Sequence, residues 1–549
     1  MKTRPHPTSG AQRTVFRAGG IAACAFAALA ALPASAQLTW TGGSGDFNTA
    51  SNWSPAQTPT ASDPVTFNAN ETETISFSGA ADSDSINLQQ GNYTFDLGTQ
   101  TWTGGRLRFG DGNNAAWTSD TVFSGGTLNS GFIQAGVFGN DDDSSLTLTN
   151  GHTLNSDGNT FATVGREGSN TTLNVESGST LNVIGLQLAT LAGSNGNAVT
   201  VDGAGSAINL NNTTGFSTRG ALRVGPNGEN NNILTVSNGG AIDHKQVETG
   251  DIVIVGQASN NAVGSGNKLI VTGAGSTFTS DSEFLYVRGG TGAGNAVEIT
   301  NDGTLNLNST GATFFVQGSN TLLVDGGTLN VTAGTLDIDT ATAVLDFRSG
   351  EINVQTAASS SNTKTSIGDG IGPAEDAVYN AVTGGISHNF FAGGGLLVET
   401  DGAVVGEGTF IGDVEVDGRI APGSDAVFGT LTLQEDLILN ASAVTRIKVD
   451  GFSAGEFDLI DQLNPSTVDL GGTLLLEFAS GFNTIGSATI LGFDTITGNF
   501  DDVQSSGLAS GFTASFDSLT GDVSVIPEPG TYGFIGGGIA LFLALLRRR

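Results

Sequence analysis

The chain has one cysteine, and it stands where a mature protein would not keep it. Cys24 lies inside the apolar run Ile21 to Leu32, so the body that follows has no thiol for a disulfide, a zinc–thiolate site, an iron–sulfur cluster or a cysteine nucleophile. Basic residues are scarce too. Of 20 Lys and Arg, seven sit at the two ends (Lys2, Arg4, Arg13, Arg17 and Arg547 to Arg549), while all 53 acidic residues lie between. A body with 13 basic against 53 acidic residues repels nucleic acid and anionic headgroups over a screening length, so nucleic acid is not an expected partner. Helical periodicity is missing between Gln37 and Val525, as are paired histidines, a phosphate loop and any Gly-x-Ser-x-Gly elbow in a strand-to-helix setting. Stability must come from repetitive packing rather than covalent staples.

The two ends read as addresses. A positive stretch, the apolar run and the small residues Pro33-Ala34-Ser35-Ala36 have the order of a cleavable signal peptide, with processing expected between Ala36 and Gln37. At the other end Pro527-Glu528-Pro529 precedes an uncharged apolar segment, Tyr532 to Leu546, and then Arg547, Arg548 and Arg549. This three-part tail resembles the PEP-CTERM sorting signal of Gram-negative bacteria. The resemblance implies an exosortase-like membrane processing enzyme as partner and display at the outer cell surface or in the extracellular matrix. It also implies a C-terminal transmembrane helix that holds the precursor in the inner membrane, arginines on the cytoplasmic side.

The middle repeats itself. Thr163-Val164-Gly165, Thr172-Leu173-Asn174-Val175 and Thr180-Leu181-Asn182-Val183 form one series, and Val224, Val255, Val287 and Val316 open later ones at spacings of 31, 32 and 29 residues. Each unit holds two or three short strands of alternating apolar and polar residues, punctuated by Gly or Asn. Short strands in such repeats predict an all-β fold, a right-handed parallel β-helix or solenoid of irregular 25–32 residue repeats, because a coil that returns on itself buries faces that a lone unit cannot. Roughly 15 to 20 turns at ~4.8 Å would make a rod on the order of 70 to 95 Å. A stack of antiparallel sandwiches is the competing fold.

The expected organisation is a signal peptide (1–36), an N-terminal cap (37–79), repeats (80–355), an irregular insertion or linker (356–391), a closing solenoid region (392–525) and the sorting signal (526–549). Trp40, Phe47, Trp53 and Phe67 would cover the first open edge; an aromatic glycan-binding patch is the alternative. The opening residues Trp40, Gly42, Gly43, Asn52 and Trp53 carry a second resemblance, together with Gly418, Pro422-Gly423, Gly429-Thr430-Leu431 and Gly471-Gly472-Thr473-Leu474 near the end. They are similar to autotransporter passenger domains and related secreted β-repeat proteins, which implies adhesive or matrix roles.

No catalytic set stands out. Asp141-Asp142-Asp143 reads as a solvated turn first; calcium is the one cofactor its hard oxygens would suit. His152, His244 and His388 are scattered, and Asp243-His244-Lys245 is as well an exposed turn as an acid–base set. The functional expectation is a non-catalytic structural or adhesin-like protein that contacts extracellular polysaccharide or surface matrix components. The alternative is a secreted β-helix polysaccharide lyase or glycosidase, which needs two carboxylates, or a carboxylate with Lys245 or Arg223, converging on one sugar.

Overall fold

The computed structural model describes Ser35 and residues 37–110, 118–136, 142–156, 161–191, 193–211, 222–245, 252–256, 264–289 and 294–528. The chain divides into two units, 1–35 and 36–549; the fold described is that of the second. Its regular secondary structure among the described residues is almost entirely strand, with two single 3-10 turns at Ala50–Asn52 and Phe391–Gly393.

Strand pairing is dominantly parallel, and it follows the alternation in the sequence. In one file of inward residues Phe95, Phe123, Leu148, Val175, Val201, Val236, Val271, Ile299, Val324 and Phe347 are successive register partners, each at most 2% exposed. A second file runs Leu128, Leu154, Leu181, Ile208, Ile242, Phe278, Leu305, Leu329, Ile352 and Tyr379. A third contains Leu188, Val224, Val255, Val287 and Val316, so the valines that open the sequence repeats are hydrogen-bonded neighbours. Like residue stacks on like because a one-residue slip would turn every apolar side chain outward. All three files belong to one buried cluster extending from Leu38 to Val525. Between register partners of the first file the chain advances as few as 23 residues, from Val324 to Phe347, and as many as 35, from Val201 to Val236. That is a wider range than 25–32, because outward turns lengthen without disturbing the inward files.

Buried asparagines close one corner. Asn197, Asn232, Asn267, Asn295 and Asn320 each stand one residue before a strand of the first file and are fully buried. The Asn232 Oδ1 accepts the backbone and side-chain N–H of Asn197 (both 3.0 Å), and Asn267 Oδ1 accepts the same two groups of Asn232 (3.1 and 3.0 Å). Such a ladder satisfies turn amides that water cannot reach. It explains the glycine of each Val-Gly opening: Gly225 has φ +62, and an added Cβ would lie 2.2 Å from Asn267 Oδ1.

Residues 356–391 carry paired strands. Gly350–Ser359 and Ala377–Asn389 continue the second file in parallel register, and Thr365–Ile367 starts a separate six-stranded parallel sheet. The expectation of an insertion arose because inward positions here are hydroxyls: Ser359, Ser361 and Thr365 are buried and satisfy one another, as in Thr365 Oγ1 to Ser359 Oγ at 3.3 Å, which masks the alternation.

At the start, Trp40 and Trp53 are each 2% exposed and meet edge to face at 5.1 Å, with Phe47 against Trp53 at 5.0 Å. Their indole N–H groups donate to Gly43 O (3.0 Å) and Phe47 O (2.8 Å). Rings this buried cover the first rung and leave no face for a glycan. At the far end a three-stranded antiparallel sheet forms from Gly486–Thr489, Phe512–Asp517 and Asp522–Pro527.

The tail expectations need correction. Among the described residues no helix is long and apolar enough to cross a membrane, so neither the expected transmembrane helix nor an inner-membrane hold on the precursor is found there. The segment Tyr532 to Leu546, Pro529 and Arg547, Arg548 and Arg549 lie outside the described residues, as does Ala36. The described start of the tail is strand: Pro527 is the register partner of Phe512, and Glu528 N–H donates to Gly511 O at 2.8 Å. Gln37 opens the body, its amide donating to Thr66 Oγ1 at 3.2 Å.

Candidate functional site

Alternation sets which side chains the second file presents outward. Each strand there reads like Thr180-Leu181-Asn182-Val183, with Leu and Val inward and Thr and Asn outward, both half-buried. Parallel stacking then puts the outward asparagines side by side: Asn155 Nδ2 donates to Asn129 Oδ1 (2.9 Å), Asn182 to Asn155 (2.7 Å) and Asn209 to Asn182 (2.8 Å). The file resumes with Asn330 to Asn306 (2.8 Å), Asn353 to Asn330 (2.9 Å) and Asn380 to Asn353 (2.8 Å). Each amide in such a file uses one N–H and one lone pair on its neighbours and keeps one of each for an outside partner. Where the first file of amides begins, Ser83, Asp84, Thr103, Asn129 and Ser130 line an open concavity of about 320 Å³.

Between the two runs, Asp243 and Thr279 take the asparagine position. This is the one place where the residues weighed for lyase chemistry meet: Lys245 Nζ lies 3.0 Å from Asp243 Oδ1 and 3.7 Å from Asp281 Oδ2. The hydrogen bond to Asp243, with the added charge of Asp281, raises the Lys245 pKa, the wrong direction for a base that must be unprotonated near neutrality. His244, one residue along, points to the opposite face and is fully buried, its Nδ1 2.8 Å from Ser280 Oγ, so the triplet does not act as a set. Arg223 stands on a strand of the third file with its guanidinium 5.1 Å from the Phe161 ring, and it is not brought to Lys245.

His152 and His388 are fully buried as well, and burial holds all three histidines near pKa 4. His388 Nδ1 is hydrogen-bonded to the Tyr379 hydroxyl at 2.7 Å, and its ring stacks on Phe410 at 5.1 Å. Asp142 and Asp143 staple the next turn, accepting Ser169 N–H (2.6 Å) and Asn170 Nδ2–H (3.0 Å); Asp141 lies outside the described residues. Among the described residues no group of three or more His, Cys, Asp or Glu is placed to hold a metal. The buried asparagine ladder escaped sequence reasoning, although its signal was there: Asn immediately before an apolar strand at Asn197, Asn232, Asn267, Asn295 and Asn320.

No protein-family model matches the chain, and no curated protein matches it either.

Proposed function

We propose that the body is a right-handed parallel β-solenoid serving as a secreted or surface-displayed, non-catalytic structural or adhesin-like protein of the cell envelope or extracellular matrix. The observation that carries this reading is the outward asparagine file, from Asn129 to Asn209 and again from Asn306 to Asn380. Repeated amides with both a donor and an acceptor to spare make many weak contacts to hydroxyl-rich polysaccharide, and repetition converts weak contacts into avidity. A body this acidic keeps such a stack soluble. The right-handed sense rests on the general crossover preference of parallel strands.

An exosortase-like enzyme reading Pro527-Glu528-Pro529 fits the exposure of Glu528, whose N–H donates to Gly511 O at the edge of the last sheet. Calcium has no built site in this reading. The test is a panel of neutral and acidic polysaccharides offered to the purified mature chain, read for retention and for release of reducing or unsaturated ends. Retention without release is the expected result. Turnover abolished by Asp243→Asn or Asp281→Asn would replace this reading with a lyase or glycosidase.

A further inference from the structure

Two segments leave the parallel pattern on the same side of the closing region: 423–429, ahead of the strand Thr430–Leu433, and 450–458, between the strands Val444–Val449 and Leu459–Gln462. One buried ion pair fixes both. Asp458 is 1% exposed; its Oδ1 accepts Gly429 N–H at 3.0 Å, and its Oδ2 accepts Lys448 N–H at 2.8 Å and faces Lys448 Nζ at 3.0 Å. Lys448 Nζ also donates to Pro422 O at 3.2 Å. Burial raises the Asp458 pKa, while three donors on its oxygens act the other way. An ion pair buried with its remaining valences satisfied is weak evidence for stability and better evidence for a fixed arrangement.

What the arrangement frames is a cup of about 400 Å³ lined by Glu407, Phe428, Thr430, Thr432, Phe457 and Leu459. Phe428 and Phe457 are half-buried although both stand outside the named strands. Lys448, the nearby cation, lies 5.9 Å from the Phe428 ring and is neutralised by Asp458. Glu407 has no ion pair among the described residues, so the cup is anionic with apolar walls and two hydroxyls. Rings beside a carboxylate suit a cation, through the ring quadrupole and a charge-assisted hydrogen bond. The two threonine hydroxyls suit a partner that carries hydroxyls of its own, and the size suits one sugar ring.

We infer that this cup binds a positively charged amino-sugar unit of a polysaccharide, its free ammonium on Glu407, its hydroxyls on Thr430 and Thr432, and its C–H face on Phe428 or Phe457. The inference rests on the adhesive reading and gives it a specific partner class. It makes a second contact on a scaffold whose asparagine files take neutral chains.

The test uses the full mature chain with soluble glucosamine oligomers, fully deacetylated or fully N-acetylated at equal length, by titration calorimetry at 0.15 M salt. Deacetylated oligomers are expected to bind at least about tenfold more tightly than acetylated ones, and Glu407→Gln to remove about tenfold of that affinity. Asp413→Asn, a carboxylate outside the cup, should leave it unchanged. Equal losses in both variants would reduce the binding to diffuse attraction by an acidic surface and overturn the inference. So would equal affinity for acetylated oligomers, or an oligolysine peptide that competes through Glu407 at equal affinity. If neutral polysaccharides are retained while Glu407→Gln changes nothing, the inference falls and the adhesive reading stands. If glucosamine oligomers bind through Glu407 while no polysaccharide in the wider panel is retained, the asparagine-file reading falls instead.

Discussion

Replacing Asn267 by alanine tests the buried corner ladder directly. Its Oδ1 accepts two N–H groups of Asn232, at 3.1 and 3.0 Å, and its Nδ2 donates to Glu229 O at 2.8 Å and Asn295 Oδ1 at 3.1 Å. Alanine leaves the Asn232 backbone N–H, one Asn232 amide N–H and Glu229 O without partners at a fully buried position. Asn295 Oδ1 keeps the backbone N–H of residue 267. At ~1 kcal/mol or more for each stranded group, the loss is about 3 kcal/mol. The matched control is Asn182→Ala in the outward file, where bonds of similar length, 2.7 and 2.8 Å, lie at a half-exposed surface and water replaces them; about 0.5 kcal/mol or less is expected there. Urea unfolding gives the comparison. Amide hydrogen exchange locates the loss, since a stacked array opens locally and a single global midpoint averages over it. Equal losses in the two variants, or exchange accelerated everywhere but the turns around Asn232 and Asn267, would refute the reasoning.

Acid should weaken the fold through its histidines. A folded pKa near 4 against ~6.5 unfolded means that the unfolded chain takes up protons first. The contribution is whole above pH 6.5 and shrinks as pH falls to about 4, by up to about 3 kcal/mol per histidine. His388→Phe should flatten the slope of urea midpoint against pH between 6.5 and 4, while lowering stability at pH 7 by stranding the Tyr379 hydroxyl; an unchanged slope would show that His388 is not buried neutral. Gly225→Ala should cost well over the ~1 kcal/mol of a left-handed backbone, because the new Cβ would meet Asn267. Gly178→Ala, with φ +74 and nothing within 4 Å, should cost only about that 1 kcal/mol. Matching melting temperatures for the two would remove the steric argument.

The sequence by itself determined the all-β class and the parallel partners of the middle. Val224, Val255, Val287 and Val316 announce their registry by spacing, since burial on one face permits no slip. It also placed threonine and asparagine outward, because strand geometry alternates whatever the tertiary context. The cap role of Trp40 and Trp53 was open between cover and binding patch, and their burial to 2% exposure decided it. Only the tertiary structure could separate the two kinds of asparagine. Asn182 lies within an alternating strand and Asn267 immediately before one, yet the first faces out and the second sits at a corner turned in, and the sense of a turn is set by the strands stacked above and below it. The same holds for residues 356–391, where inward hydroxyls satisfy one another only once stacked. It holds again for the Glu407 cup, whose walls come from segments more than twenty residues apart and are joined by Asp458, a residue that no local pattern marks.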